Sequence, residues 1–166
     1  MEFKSRFTLC GFLLSLLLTG CATTPKFNLI DVDRSITPQQ AAANLQNYRN
    51  QKVIWGGIII AGQNLKNSTM LEILAYPLND HYKPQTNAQP IGRFIAQYDK
   101  YLETLDYSKG RLITVSGSLI NTVKGMIGKT EYTYPEISVE QSYLWPRPGE
   151  SNSNTRFYFG VGAVFH

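Results

Sequence analysis

The chain has 166 residues, is 43% hydrophobic, and carries a formal net charge of +4 and two cysteines. This length is enough for one domain with a proper core and too short for two comfortable ones. Charges of both signs are scattered without a basic block, which indicates a solvated surface and excludes the basic groove that nucleic-acid binding requires.

The N-terminus has the pattern of an export signal. Lys4 and Arg6 precede the uncharged run 7–18, which is shorter than the roughly 20 residues that a membrane-spanning helix needs. A basic start, an apolar run of about 7 to 15 residues and small residues at the end describe a segment that is removed after export. Residues 1–20 are therefore predicted to be a signal peptide, and the mature protein is predicted to leave the cytoplasm.

The signal ends in Leu18-Thr19-Gly20-Cys21, which resembles a bacterial lipobox, in which the cysteine is acylated and becomes the first mature residue. The alternative is an ordinary secretory signal followed by a structural cysteine. Removal of Cys10 with the signal would then leave Cys21 without a partner for an intramolecular disulfide. We therefore predict lipid attachment at Cys21. Ala22 stands in place of the aspartate associated with inner-membrane retention, which predicts transport to the outer membrane.

The first part of the mature chain is predicted to be a tether followed by a helix. Residues 21–36 show no sustained hydrophobic period and include Thr-Thr-Pro, which suits a connection between a lipid and a domain. Thr37 can act as an N-cap, with Pro38 at the first helical position and Gln40 completing a capping box. A modest apolar stripe then predicts a helix that ends near Asn50.

Three strands are predicted next. The run 53–60 is apolar on both faces and contains Gly56-Gly57, which is typical of a central strand that bends sharply. Residues 70–76 and 92–98 alternate between apolar and polar positions, as half-buried strands do. The polar stretch 78–90 between them predicts a loop.

The remaining chain predicts a short helix and two more strands. Residues 101–107 lack strand alternation, which predicts one or two helical turns. A fourth strand over 111–120 is followed by turns at Gly125 and Gly128. A fifth strand covers 132–145.

The order of these elements predicts a mainly β protein with an OB-fold-like, small Greek-key β-barrel. One short helix precedes the barrel and another lies between strands three and four. A change of apolar phase at Pro135 predicts a β-bulge in the fifth strand. The alternative is a β-sandwich, which would not require the helix between strands three and four.

With these segments placed, the chain from about Val53 to Pro146 resembles the Slp family of bacterial outer-membrane lipoproteins. The segments that carry the resemblance are Trp55-Gly56-Gly57, Leu71-Glu72-Ile73-Leu74-Ala75-Tyr76-Pro77-Leu78, Gly92-Arg93-Phe94, Asp106-Tyr107, Gly110-Arg111, Tyr132-Thr133-Tyr134-Pro135 and Leu144-Trp145-Pro146. The resemblance implies an outer-membrane lipoprotein linked to starvation, stationary phase or acid stress, with no established enzymatic activity. None of these segments is a catalytic signature.

The resemblance completes a division of the chain into four parts. Residues 1–20 are the signal, 21–36 the tether, 37–148 the Slp-like barrel domain and 149–166 a tail outside the family core. The tail alternates in hydrophobicity from Phe157 to Phe165, so we expect an extra strand on the domain. The alternatives are a strand of a transmembrane barrel and pairing with an envelope protein partner by strand addition.

Candidate catalytic residues are few. Lipidation uses the one mature cysteine, and His81 and His166 are the two histidines, so a structural zinc site has too few ligands. A hydrolytic triad would have to use His81, which lies in a polar loop. We predict that the protein is not an enzyme and holds no cofactor or metal.

Exposed aromatic side chains are the candidate ligand contacts, because OB-folds bind oligonucleotides and oligosaccharides through them. Trp55, Tyr98, Tyr101 and Tyr132 are the residues proposed for this role, although Trp55 and Tyr134 are expected to fill the core. Nucleic acid is not expected as a partner. The predicted function is a non-enzymatic envelope role in stress or stationary-phase adaptation, and the alternative is a periplasm-facing module that binds a small ligand, a glycan or an envelope protein.

Overall fold

The computed structural model describes residues 25–147, 149–150 and 157–159. The signal peptide, Cys21 and most of the tail therefore lie outside the described residues. None of the helices in the described ranges is long and apolar enough to cross a membrane. The elements are β1 (Val32–Asp33), α1 (Pro38–Ala43), α2 (Leu45–Tyr48), β2 (Lys52–Asn64), β3 (Thr69–Tyr76), β4 (Gly92–Tyr98), β5 (Leu112–Ile127), β6 (Thr130–Leu144) and β7 (Phe157–Phe159).

The five long strands close into a barrel. Their order is β2, β3, β4, β6 and β5, and pairing of β5 with β2 completes the circle. The pairing of β4 with β6 is parallel, and the other four pairings within the barrel are antiparallel. This is the strand order of an OB-fold, so the predicted fold class is confirmed.

Alternate residues of each strand point into the barrel and form its core. The alternation in the second and third long strands, and that in the fourth, predicts an inward set of residues. All of these residues are buried: Leu71, Ile73, Ala75, Phe94, Ala96, Tyr98, Ile113, Val115, Gly117 and Leu119. The glycine pair of β2 allows the neighbouring strands to approach it closely. A Cβ at Gly57 would lie 1.9 Å from the Leu74 carbonyl oxygen. The backbone of β3 could therefore not lie this close if position 57 held any residue other than glycine.

The N-terminal helix begins as predicted but ends earlier. Thr37 accepts a hydrogen bond from the Gln40 backbone N–H, and the Gln40 side chain accepts one from the Thr37 backbone, which confirms the capping box. The prediction of one helix to Asn50 is wrong. Asn44 adopts φ −149° and ψ 65°, which separates α1 from α2.

The short helix predicted between the third and fourth long strands does not form. In 101–107, the backbone N–H of Tyr107 donates to the Glu103 carbonyl, which closes one turn. The N–H of Leu102 instead donates to the Thr69 hydroxyl at 3.0 Å, and Leu102 and Tyr107 pack into the core cluster. Anchoring of both residues in the core leaves too short a free segment to propagate a helix.

The last two barrel strands are longer than predicted and form a projecting hairpin. Pairing continues to Ile127 and Thr130, so Gly125 lies within β5, while Gly128 with φ +62° provides the turn. The bulge expected at Pro135 is absent from that position. The register instead shifts between Leu119 and Asn121 on the partner strand, close to the predicted place, and again between Ser116 and Gly117.

Residues 25–36, predicted as part of a tether, lie against the barrel. The Asn28 N–H donates to the Gln141 side chain at 2.8 Å, and Val32 pairs with Lys52 through β1. The segment thus crosses the outer surface of β6, β5 and β2. It covers Ile54, which is 4% exposed although it does not belong to the inner core cluster.

The described part of the tail adds a strand to the domain. β7 pairs antiparallel with β6, with Phe157 opposite Tyr143 and Phe159 opposite Gln141. For 157–159 this is the expected extra strand. The rest of the predicted tail strand lies outside the described residues.

Candidate binding groove

The projecting hairpin folds over the outer surface of β3 and β4. The Tyr132 hydroxyl oxygen accepts a hydrogen bond from the Arg93 backbone N–H at 3.0 Å, and the Tyr134 hydroxyl donates to Glu72 Oε1 at 3.3 Å. Between the hairpin and the sheet lies a groove of about 320 Å³. Its lining comprises Ala61, Gly62, Gln63, Met70, Glu72, Ile95, Val123, Lys124, Gly125, Met126 and Tyr134.

A polar cluster of four side chains supports the floor of this groove. Arg93 Nη1 donates to Glu72 Oε1 at 2.6 Å, and both side chains of this ion pair are partly buried. The rings of Tyr132 and Tyr134 meet edge to face, with centroids 4.7 Å apart. Burial raises the pKa of Tyr134, and the Glu72 carboxylate raises it further. The tyrosine therefore stays a hydrogen-bond donor at neutral pH.

The glycine in the hairpin allows this arrangement. The Tyr134 ring lies over Gly125, where an added Cβ would come within 3.0 Å of the ring. The Tyr134 ring would have to shift by a few tenths of an ångström to admit a Cβ at this position. Gly125 thus serves packing of the ring, whereas the sequence pattern alone predicted a turn.

The groove combines apolar walls with one carboxylate. Met70, Ile95 and Val123 are half-buried, and Met126 is 60% exposed at the rim. Methionine side chains adapt to varied shapes. Both Arg93 and Tyr134 bond to Glu72 Oε1, and among the described residues Glu72 Oε2 receives no hydrogen bond. The floor can therefore accept a hydrogen bond from a ligand while the walls contact its apolar part.

None of the four predicted ligand-contacting aromatics lines the groove, and one of them lies in the polar cluster that supports its floor. Tyr132 belongs to the polar cluster, whereas Tyr101 is 64% exposed in the 101–107 segment. The assignment of Trp55 and Tyr98 to ligand contact is wrong, because both lie in the core with 3% and 0% exposure. The Trp55 indole N–H donates to the Ile36 carbonyl at 2.7 Å. This place in the core agrees with the other expectation for Trp55, that its ring fills the core.

The other candidate side chains do not assemble into a chemical site. His81 is exposed in the 78–90 loop, where its backbone N–H donates to the Asn79 side chain. His166 lies outside the described residues. Among the residues that the structure describes, no three His, Cys, Asp or Glu side chains are grouped closely enough to hold a metal ion.

Several residues of the resemblance segments have structural roles. The Arg111 guanidinium, 8% exposed, donates to the carbonyls of Asp106 and Trp145 at 3.1 and 3.0 Å. Gly110 precedes it with φ +89°, a conformation that favours glycine. These contacts join the ends of the barrel strands. They explain Asp106-Tyr107, Gly110-Arg111 and Leu144-Trp145-Pro146 as determinants of the fold.

Sequence reasoning did not find Glu72 and Arg93 as site residues. They are 21 positions apart in sequence, and the pairing of β3 with β4 brings them together. In this register Glu72 is opposite Ile95, which is two residues beyond Arg93. One signal was present, since Glu72, Arg93 and Tyr134 occur in three different resemblance segments. Their convergence at one place requires the strand register and the length of the hairpin.

A family comparison identifies the chain. The model of the outer membrane lipoprotein Slp family matches residues 18–164. The chain belongs to the Slp family. It is accordingly an outer-membrane, lipid-anchored protein. The match extends through the tail, so the prediction that residues after Pro148 lie outside the family core is wrong.

Similar sequences include proteins from two bacteria. The chain is 28% identical to the outer membrane protein Slp of Escherichia coli over 157 residues, which cover 92% of this chain and 82% of that protein. It is 33% identical to the uncharacterized lipoprotein YeaY of Escherichia coli, covering 79% and 68%. An uncharacterized protein of Haemophilus influenzae is 34% identical, covering 86% and 78%.

Solved structures similar to this Slp-family chain include two single-stranded DNA-binding proteins. The one from Streptomyces coelicolor has 13% identity and a TM-score of 0.36, covering 56% of this chain and 92% of the other. The mitochondrial protein Rim1 of S. cerevisiae has 15% identity and a TM-score of 0.37, covering 57% and 94%.

Proposed function

We propose that this Slp-family lipoprotein is a non-enzymatic binding module of the cell envelope. In this proposal Cys21 carries the lipid, the domain faces the periplasm, and binding serves stress or stationary-phase adaptation. The groove between the hairpin and the β3–β4 surface is the observation that carries the proposal. The carboxylate on its floor is already engaged by Arg93 and Tyr134, which suits recognition better than proton transfer.

The chemistry of the groove defines the class of ligand. A ligand with an apolar part would contact Met70, Ile95 and Val123, and its hydrogen-bond donor would reach Glu72. A glycan, a small amphiphilic molecule or a side chain of an envelope protein has this character. Nucleic acid does not fit, because a backbone-tracking groove needs a basic floor and this floor carries a carboxylate.

The ligand can be trapped in cells through a photo-crosslinking residue placed at Met126, on the rim of the groove. We expect a discrete adduct that disappears when Glu72→Gln is added. Leu105, which is 78% exposed outside the groove, is the matched control and should give no such adduct. Equal labelling at both positions, or none at Met126 in stationary-phase cells, would reject the groove as a binding site.

The anchor assignment is tested separately. Cys21→Ser should abolish incorporation of labelled palmitate and release the protein from outer-membrane fractions, because a stably anchored protein of this kind depends on its acyl chains. Continued palmitate labelling and membrane fractionation of this variant would show that another residue carries the lipid.

A further inference from the structure

We propose that one face of the barrel, formed by residues 25–36 and the adjoining loop 78–84, lies against the lipid headgroups of the membrane that holds the anchor. We call it the membrane face. This inference rests on the proposed lipidation of Cys21. Its occupant is a phospholipid surface, and the groove is held on the opposite side of the domain.

The short distance in sequence between the lipid and the folded domain is the first argument. Pro25 is already buried, and it follows Cys21 by four residues. A fully extended chain of four residues spans at most about 14 Å. The point at which the chain joins the domain therefore cannot move far from the bilayer surface.

The N-terminal segment is fixed to the domain at several points, which is the second argument. Phe27 meets the Tyr82 ring edge to face at 5.7 Å, and the Asn28 N–H donates to the Gln141 side chain. The Ile36 carbonyl accepts the hydrogen bond of the Trp55 indole. Because this segment is part of the domain's packing, a restraint on its start restrains the orientation of the whole barrel.

The exposed side chains of the membrane face suit a headgroup layer. Ile30 is 71% exposed at a turn, next to the fixed Asn28. The Arg34 guanidinium lies 5.4 Å from the Tyr82 ring centroid. Two exposed lysines belong to the same segments, Lys26 in 25–36 and Lys83 in 78–84. Lysine and arginine beside aromatic rings are typical of membrane–water interfaces.

Charge alone does not position this face. Asp31 and Asp80 are also exposed on it, and Asp33 accepts hydrogen bonds from the backbone and hydroxyl of Ser35. Nearly balanced charges give little net attraction to an anionic surface. The short connection to Cys21 is therefore the main cause of contact, and Ile30 is the apolar side chain most exposed to the lipid.

The strand order places the groove away from the membrane face. In the circle β2, β3, β4, β6, β5, the strands β3 and β4 lie across the barrel from β5. The N-terminal segment crosses β6, β5 and β2, and the groove lies on the outer surface of β3 and β4. Contact of the first face with lipid leaves the second open to the aqueous phase.

Site-specific quenching tests the orientation with the full mature lipoprotein. A fluorophore is attached to Ile30→Cys or, as the matched control, to Met126→Cys at the groove rim. Acylation of Cys21 leaves the introduced cysteine as the one free thiol of the mature chain. Each protein is reconstituted into vesicles of phosphatidylethanolamine and phosphatidylglycerol that contain a headgroup spin-labelled lipid, and flotation confirms anchoring before quenching is measured.

We expect several-fold stronger quenching at position 30 than at position 126. Equal quenching at the two positions in protein that floats with the vesicles would overturn the membrane face and leave the anchor intact. Failure of the lipoprotein to float would instead contradict the anchor.

Discussion

Substitution of Trp55 by phenylalanine distinguishes a core residue from a ligand contact. Trp55→Phe keeps an aromatic ring opposite Phe94, with which the indole makes an edge-to-face contact at 5.1 Å. It removes the N–H that donates to the Ile36 carbonyl at 2.7 Å. We expect a clear loss of stability, because this carbonyl is in a buried part of the domain.

The magnitude follows from two contributions. Loss of a partner for a buried carbonyl costs about 1–3 kcal/mol. The smaller ring leaves a cavity of roughly 40 Å³, which at about 24 cal/mol per Å³ adds about 1 kcal/mol. Together they predict a decrease of about 2–4 kcal/mol in the free energy of unfolding and a fall in Tm of roughly 5–15 °C.

Urea denaturation of the mature chain with Cys21→Ser measures this effect without the lipid. Tyr101→Phe is the control, because Tyr101 is 64% exposed and its hydroxyl can return to water. We expect a change within about 0.5 kcal/mol for this variant. If Trp55→Phe is also within that range, the indole does not hold the N-terminal segment and the argument from its hydrogen bond fails.

Further predictions concern strand approach and buried ionisable groups. Gly57→Ala should destabilise the domain by more than about 3 kcal/mol or prevent folding, since its Cβ would meet the Leu74 carbonyl. The control is Gly62→Ala on the same strand, whose Cβ would meet only the end of the Leu71 side chain. This variant should fold, and urea titration of both proteins measures the difference. Burial raises the pKa of Glu136, so its contribution to stability is fully present below its unfolded pKa and is lost as pH rises through the folded value. Glu136→Gln should therefore raise the free energy of unfolding at pH 7 but not at pH 3, and equal effects at both would contradict the burial argument. Ultraviolet titration should show Tyr134 ionising later than a typical tyrosine, and the late phase should vanish in Tyr134→Phe.

The barrel could be predicted because its strands follow simple periodicities. Alternation over β3 and β4 gave both strands and their inward residues, since one face of each strand is buried and the other half-exposed. The capping box at Thr37 was equally local. Such features depend on neighbours within a few residues, and these neighbours are visible in the sequence.

The errors occur where distant contacts outweigh local preference. Residues 101–107 lack strand alternation, which predicted a short helix. Leu102 and Tyr107 are instead held in the core, and the Leu102 N–H donates to the Thr69 hydroxyl more than 30 residues away. Residues 25–36 lack periodicity because they pack as an irregular cover over Ile54. A segment without a pattern can thus be firmly packed, and its packing partners are not visible in the sequence.

The groove was hidden for a related reason. Its floor depends on the length of the β5–β6 hairpin, in which Gly125 was predicted to form a turn. Because Gly125 instead makes room for the Tyr134 ring, the hairpin continues and reaches Glu72. A glycine within a strand pattern indicates a turn or a close approach, and the choice between them requires the opposing side chain.

The opposite placement of the groove and the membrane face restricts the partners that the proposed module can bind. The groove lies between the β3–β4 wall and the hairpin, so the two walls of the barrel separate it from the N-terminal segment. Because packed layers lie about 10 Å apart, the groove is on the order of 20 Å from the membrane face. A lipid that remains in the bilayer cannot reach Glu72 over this distance. The ligand must therefore come from the aqueous phase, as a soluble molecule or as a protein or glycan that extends toward the membrane. A lipid adduct at Met126 would contradict the orientation even if the groove itself proved to be the binding site.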